Sequence, residues 1–178
     1  MLMLSSILAV CTGNKISGFL SDISGAFDRV CKEILMAKLQ GAGIEGTLLK
    51  FLDAYLGPRI GNVVVQGKHS VDMILENTVF QGTVLGPPLW NSFFADVSIP
   101  AKSTGGRESM FADDLNVFQA FDRSKNLAEV QDSLQSCREN VHKWGKTNRV
   151  SFDSSKEHLV VLHPFENHCG CQTLGPYG

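Results

Sequence analysis

Phe111-Ala112-Asp113-Asp114 constrains this chain more than any other stretch. Two adjacent acids stand between apolar flanks, with Met110 and Phe111 before them and Leu115, Val117 and Phe118 after. Apolar runs on both sides of a short polar tip read as a β-hairpin. Acids at a hairpin tip are ordinarily turn residues. A second strand-like run weighs against that reading: residues 16–22, Ile-Ser-Gly-Phe-Leu-Ser-Asp, also end on an acid, Asp22. An antiparallel sheet can bring two such strand ends together although they lie far apart in sequence.

The remaining elements follow from periodicity and breakers. Ser24-Gly25 turns the chain, and a helix is predicted over 29–40 with Val30, Ile34 and Leu35 inward, stopped by Gly41 and Gly43. A second helix is predicted over 45–56, with Leu48, Leu49, Leu52 and Leu56 inward and Gly57-Pro58 as terminator. The period then changes to strands at 62–66 and 71–75, with Gly67-Lys68 in the turn. Gln81-Gly82 opens a loop. Pro87 and Pro88 fit the first turn of a helix, where a missing N–H costs little, and Leu89, Phe93 and Val97 share one of its faces. Residues 99–107 read as a polar loop. The longest helix is predicted over 125–144, where Leu127, Val130, Leu134, Cys137, Val141 and Trp144 form one apolar stripe; this is core and carries no chemistry. Strands are expected at 150–153 and 158–162, and an irregular tail over 164–178. The elements together predict an α+β fold: an antiparallel sheet of about three to five strands with helices on one face.

With 178 residues, 43% hydrophobic and 19% charged, the chain is long enough for one domain with a sizeable core, and 1–178 is read as a single domain. Its net charge of −2 and pI near 6.2 lack the basic surface usual for a nucleic-acid-handling domain. Five scattered cysteines are odd in number and form no disulfide framework, which points to a reducing compartment. Cys169-Gly170-Cys171 beside His163 and His168 departs from zinc-ligand spacing and has no second cysteine pair. Residues 1–15 are apolar but too short to span a bilayer and lack the basic start of a signal peptide; a core helix is expected there, and no membrane association.

Phosphoryl transfer to a nucleotide uses two divalent cations ~4 Å apart, one activating the attacking hydroxyl and one holding the leaving phosphate. Mg²⁺ takes oxygen ligands and keeps some waters. Two or three carboxylates on rigid strand ends therefore suffice, and Asp22, Asp113 and Asp114 are the candidates.

At these residues the chain resembles a known family. Asp22-Ile23-Ser24-Gly25-Ala26-Phe27-Asp28, then Gln81-Gly82-Thr83-Val84-Leu85-Gly86-Pro87, then Phe111-Ala112-Asp113-Asp114 are similar, in order and spacing, to the A, B and C boxes of reverse transcriptases. The likeness is to the type encoded by non-LTR (LINE-like) retrotransposons. It continues through Trp144, Asn148 and Lys156 to Leu174-Gly175, so it covers nearly the whole chain from about Gly18 onward.

The resemblance implies a polymerase palm and RNA-directed DNA synthesis: a primer 3′-hydroxyl attacks a dNTP on an RNA template, with two Mg²⁺ ions (Mn²⁺ as a substitute). Asp22 and Asp113 would hold the metals, assisted by the backbone carbonyl of Ile23. Asp114 would support the site electrostatically. Phe27 would be an aromatic gate against a 2′-hydroxyl; without the resemblance it reads as a core residue at a strand-to-helix turn. Gln81 and Gly82 would lie near the incoming nucleotide and templating base, where glycine permits close backbone approach; alone they read as an ordinary loop. Lys156 would be a general acid for departing pyrophosphate, against the alternative of a solvated turn lysine. Asp28 is expected to cap the following helix, and Asp96 to lie at the surface. The implied partners are an RNA template, a DNA primer and dNTPs, in the nucleus or the cytoplasm.

The family's fingers strands, with their Lys and Arg contacts to the triphosphate, lie N-terminal to the A box. Here Lys15 is the sole basic residue before Asp22. The expectation is a palm with partial fingers and no complete thumb, weak or inactive by itself because the clamp's electrostatic stabilisation is missing. Two other readings compete: a non-catalytic remnant or co-opted palm that binds RNA or protein, and another two-metal enzyme on a similar palm, such as an RNA-dependent RNA polymerase or a nucleotide cyclase. Phe27 argues against the last.

Overall fold

The structure, a computed structural model, describes residues 13–75, 79–164 and 169–173, with the side chains at 163, 164 and 169–173 excepted. The apolar helix expected over 1–15 falls almost wholly outside the described residues, and so do the side chains of the Cys169/Cys171 region. In chain order the strands are β1 (Lys15–Asp22), β2 (Arg59–Gly61), β3 (Val64–Val65), β4 (Lys68–His69), β5 (Met73–Leu75), β6 (Arg107–Phe111), β7 (Asp114–Phe121), β8 (His158–Pro164) and β9 (Cys169–Thr173). The helices are α1 (Lys32–Gly41), α2 (Gly46–Tyr55), α3 (Gly86–Phe94), α4 (Ser98–Lys102) and α5 (Leu127–Asn148), with 3-10 turns at Ala26–Arg29 and Ala95–Val97. These elements form two compact units: Met1–Ser24 with Asp96–Gly178, and Gly25–Ala95.

The first unit is a five-stranded antiparallel sheet in the order β6-β7-β1-β8-β9. In β1, Ser17, Phe19 and Ser21 point to one face, and all three are buried, as is Ile23 just beyond. Phe19 is paired with Val117 on one side and Leu159 on the other, so the apolar residues of three strands meet there. α5 packs on β1 and α4 packs on α5. The α5 stripe supplies Val130, Leu134, Cys137, Val141 and Trp144, all buried. Each full burial of such a side chain contributes about 1.5–3 kcal/mol. The α+β architecture, an antiparallel sheet packed against helices, is therefore the observed one.

The second unit is helical, with an extended ribbon. α1 packs on both α2 and α3. Its core is Val30, Leu35, Leu39, Val79, Trp90 and Phe93, and the Trp90 ring lies 5.5 Å from Phe27, 5.8 Å from Phe93 and 5.3 Å from Phe94. Pro87 and Pro88 occupy the first turn of α3, as expected. The ribbon pairs β2 with β5 and β3 with β4.

Several expectations need correction. Residues 99–102 of the expected polar loop belong to α4, because Pro100 is tolerated in a first turn and Ala101 can be buried. Residues 169–173 of the expected irregular tail pair with β8. Residues 150–153 make only an isolated bridge, Ile23 to Phe152. Leu48 is 53% exposed, so α2 turns a narrower face inward than four leucines suggested. The hairpin turn is Gln66-Gly67 rather than Gly67-Lys68: both have positive φ, 50° and 74°, as a two-residue type I′ loop requires. Asp28 does not cap α1, whose N-cap position is Cys31. Asp96 is not a free surface acid, for it accepts a hydrogen bond from Trp144 Nε1 at 2.9 Å.

Candidate active site

β1 and β7 run antiparallel in a register that places Asp22 opposite Asp114. β6 and β7 are joined by a two-residue loop, Ala112-Asp113. Ala112 takes φ 54°, a conformation disfavoured for a residue with a Cβ and one that concentrates at functional loops. The sheet thus brings Asp22 to one strand end with Asp113 and Asp114, acids 91 and 92 positions further along the chain. Burial is the largest influence on Asp113 and raises its pKa. A bond from its own backbone opposes that shift, while the charge and hydrogen bond of the Asp22 carboxylate and the charge of Asp114 reinforce it. The net effect holds Asp113 above the ordinary carboxylate range. Like charges crowded together cannot all ionise freely.

Lys156 enters from the other side of β1. Its Nζ donates to Asp22 Oδ2 at 2.5 Å, and that bond, with the Asp22 charge, pushes the lysine pKa up. Asp22 itself is only 13% exposed, so the ammonium neutralises a carboxylate with little water around it. The turn carrying Lys156 is tied to β1: Asp153 N–H donates to the Asp22 carbonyl at 2.9 Å and Ser24 N–H to the Ser151 carbonyl at 3.0 Å. These two bonds use one edge of the 22–24 segment. Strand alternation turns the Ile23 carbonyl to the opposite edge, the side of β7.

Asp22, Ile23, Asp113, Asp114 and Lys156 therefore share one end of one sheet. Phe27, Gln81 and Gly82 belong to the second unit. Phe27 is half-buried against Trp90, and its carbonyl accepts the Val79 N–H at 2.9 Å. Gln81 and Gly82 are exposed in the turn before α3, where Gly82 takes φ 78°. That turn is closed by Thr83 Oγ1 donating to the Phe80 carbonyl at 2.7 Å.

Among the described residues no group of three or more His, Cys, Asp and Glu side chains forms a ready-made metal cage. The donor set at the sheet end is two adjacent carboxylates with a third nearby, plus a backbone carbonyl, all oxygen. Oxygen donors that leave room for water suit Mg²⁺, so the residues present fit such an ion. Sequence reasoning passed over a neighbouring cluster: Glu157, buried, meets Arg138 Nε at 2.9 Å and His142 Nε2 at 2.5 Å. Arg138 and His142 stand four apart beside the apolar stripe of α5, a spacing that puts them on one face and was the available signal.

Comparison with known proteins agrees with this geometry. A family model for reverse transcriptase (RNA-dependent DNA polymerase) matches residues 9–175. The RNA-directed DNA polymerase from mobile element jockey of Drosophila funebris is 30% identical over 140 residues, covering 76% of this chain. This chain spans only 15% of the length of that relative. Among solved structures, apo telomerase from Candida tropicalis truncated from its C-terminal domain superposes with a TM-score of 0.64 at 11% identity, over 98% of this chain and 36% of that one. At that identity the likeness is one of fold.

Proposed function

We propose that this chain, which belongs to the reverse transcriptase (RNA-dependent DNA polymerase) family, carries the catalytic centre of a retroelement polymerase that copies RNA into DNA. On this reading the first unit is the palm and the second is part of the fingers. The observation that carries it is the convergence of Asp22, Asp113 and Asp114 at one strand end, with Lys156 bonded to Asp22. The partners are an RNA template, a DNA primer and dNTPs, met on chromosomal DNA in the nucleus or in a cytoplasmic ribonucleoprotein.

Asp22 and Asp113, with the Ile23 carbonyl, present the oxygens that would hold two Mg²⁺ ions. When bound, such ions supply the charge that activates a 3′-hydroxyl and steadies a departing pyrophosphate. Burial and the neighbouring carboxylates hold the Asp113 pKa up, and a cation bound there would pull it back down. Asp114, exposed and opposite Asp22, adds negative potential without needing to be a ligand. Lys156 stays protonated beside Asp22 and would give positive charge, or a proton, to the leaving phosphate. Phe27 would select against a 2′-hydroxyl, and the exposed Gln81-Gly82 backbone would admit the nucleotide and its template base.

Primer extension on an RNA template, in the longest protein that contains this chain, tests the proposal. Asp113→Asn is expected to lower Mg²⁺-dependent dNTP incorporation by at least about 100-fold. Incorporation that survives the substitution would place the chemistry elsewhere. A second reading, a non-catalytic palm that binds RNA or protein, draws support from the net charge of −2, which is unusual for a nucleic-acid polymerase segment. Salt-dependent RNA binding that survives loss of the carboxylates, with no incorporation, would favour it.

A further inference from the structure

Glu157 is a charged side chain where packing alone would ask for an apolar one. It is 3% exposed, and its two oxygens are taken separately: Oε2 by Arg138 Nε at 2.9 Å and Oε1 by His142 Nε2 at 2.5 Å. Burial of the carboxylate raises its pKa, and the bonds from His142 and Arg138 override that and hold it ionised. A buried ion pair is poor value as stability alone, since an apolar residue of similar size often does as well. Its directional geometry does something packing cannot: it ties one backbone position to one face of α5.

That position adjoins Lys156. The turn before it is closed from the other end. Asp153 Oδ1 accepts both the Ser155 N–H at 3.0 Å and the Ser155 hydroxyl at 2.6 Å. Lys156 N–H donates to the Asp153 carbonyl at 3.0 Å, and Asp153 N–H donates to the Asp22 carbonyl. Lys156 is thus bracketed, by Asp153 to the end of β1 and by Glu157 to α5. A long lysine side chain has considerable rotamer entropy to lose on being held, and the side chain here is 61% exposed. With so little packing along its stem, the ammonium reaches Asp22 only if its Cα is held in place.

We propose that Glu157, clamped by Arg138 and His142, is a positioning residue that holds Lys156 against Asp22. The inference rests on the reading of Asp22 as a cation ligand and of Lys156 as its charged neighbour. Glu157 touches no reacting atom; it acts through Lys156.

Two measurements on the full chain test it. The first is Mn²⁺ affinity, by electron paramagnetic resonance, in a double-mutant cycle. Lys156→Gln removes the ammonium that competes for Asp22 and is expected to tighten Mn²⁺ at least about fivefold. Glu157→Gln should act in the same direction, about threefold, and should have no effect in the Lys156→Gln background. An equal effect in both backgrounds, or none in either, overturns the proposal. Arg138→Gln attacks the clamp from the α5 side and should give the same pattern if Glu157→Gln folds poorly. The second measurement is amide hydrogen exchange without metal: Glu157→Gln should speed exchange at the Lys156 N–H while leaving β1 and β7 protected. Unchanged exchange at Lys156 overturns the proposal. If Mn²⁺ binds to no variant, the reading of the site as a metal centre fails, and loss of protection confined to Lys156 still establishes the anchor.

Discussion

Asp113 and Glu157 are two acids in one unit whose surroundings push them in opposite directions, and the difference can be measured. Asp113 is raised by burial and by the Asp22 and Asp114 carboxylates. Its folded state therefore binds the proton more tightly than the unfolded chain does. The stability linked to this group is complete below the unfolded carboxylate range, near pH 4, and is lost as pH rises through the higher folded value. Asp113→Asn cannot ionise, so it should melt at a higher temperature than the parent at pH 7, with the gap closing as pH falls toward about 3. Thermal unfolding at several pH values in chelator checks this; a gap independent of pH would mean that the fold does not raise the Asp113 carboxyl. Glu157 is lowered on balance, so its contribution is present at neutral pH and fails on acidification. Asp22, Asp113 and Asp114 were legible in the sequence because each stands where a strand pattern ends. Glu157 was not, since its partners lie 19 and 15 positions away on a helix, and the four-residue spacing of Arg138 and His142 does not say which acid they hold.

At the scale of elements, the C-terminal half of α5 backs the site, through Arg138 and His142 on Glu157 and through Gly145 against Phe152. It starts with a capping box, Asn126 accepting from Glu129 N–H and the Glu129 side chain accepting from Asn126 N–H. It ends with Arg149 in the left-handed region and the chain returning over Gly145. A Cβ at Gly145 would lie 3.0 Å from the Val150 carbonyl and 3.1 Å from the Phe152 ring. Phe152 in turn bridges to Ile23, next to Asp22. Asn126→Ala should cost about 1 kcal/mol, and Gly145→Ala about 1–3 kcal/mol by overpacking. The two should separate in function: both lower the denaturation midpoint, and only Gly145→Ala should also weaken Mn²⁺ binding, because it presses on the segment behind Asp22. Equal Mn²⁺ affinity in the two variants would show that the segment absorbs the strain. The α5 stripe, β1 and the acidic hairpin were readable because each keeps one period over many residues. α4 and β9 were not: α4 is five residues long, too short to show a period, and β9 gains its structure from pairing with β8.

At the scale of the whole molecule, apolar surface is unevenly placed. Among the described residues, Ile60, Val65, Val71 and Ile74 are 73%, 62%, 83% and 70% exposed, and all lie in or beside the β2–β5 ribbon. Exposed apolar residues scattered singly are ordinary; a run of β-branched ones on short paired strands invites edge-to-edge association. The sequence showed strands here but not their exposure, since the Val-Val-Val run reads equally well as a buried strand. Because the ribbon contributes little to the core, its outward residues can be changed without loss of stability. Ile60→Thr, Val71→Thr and Ile74→Thr together keep β-branched side chains suited to strands while removing apolar surface. The triple variant should remain monomeric, by sedimentation velocity, at protein concentrations where the parent associates, with unfolding free energy changed by less than about 0.5 kcal/mol per site. Association that persists unchanged would assign it to another surface. A large loss of stability would mean that these side chains are packed in solution, in which case the ribbon is already engaged with another part of the protein.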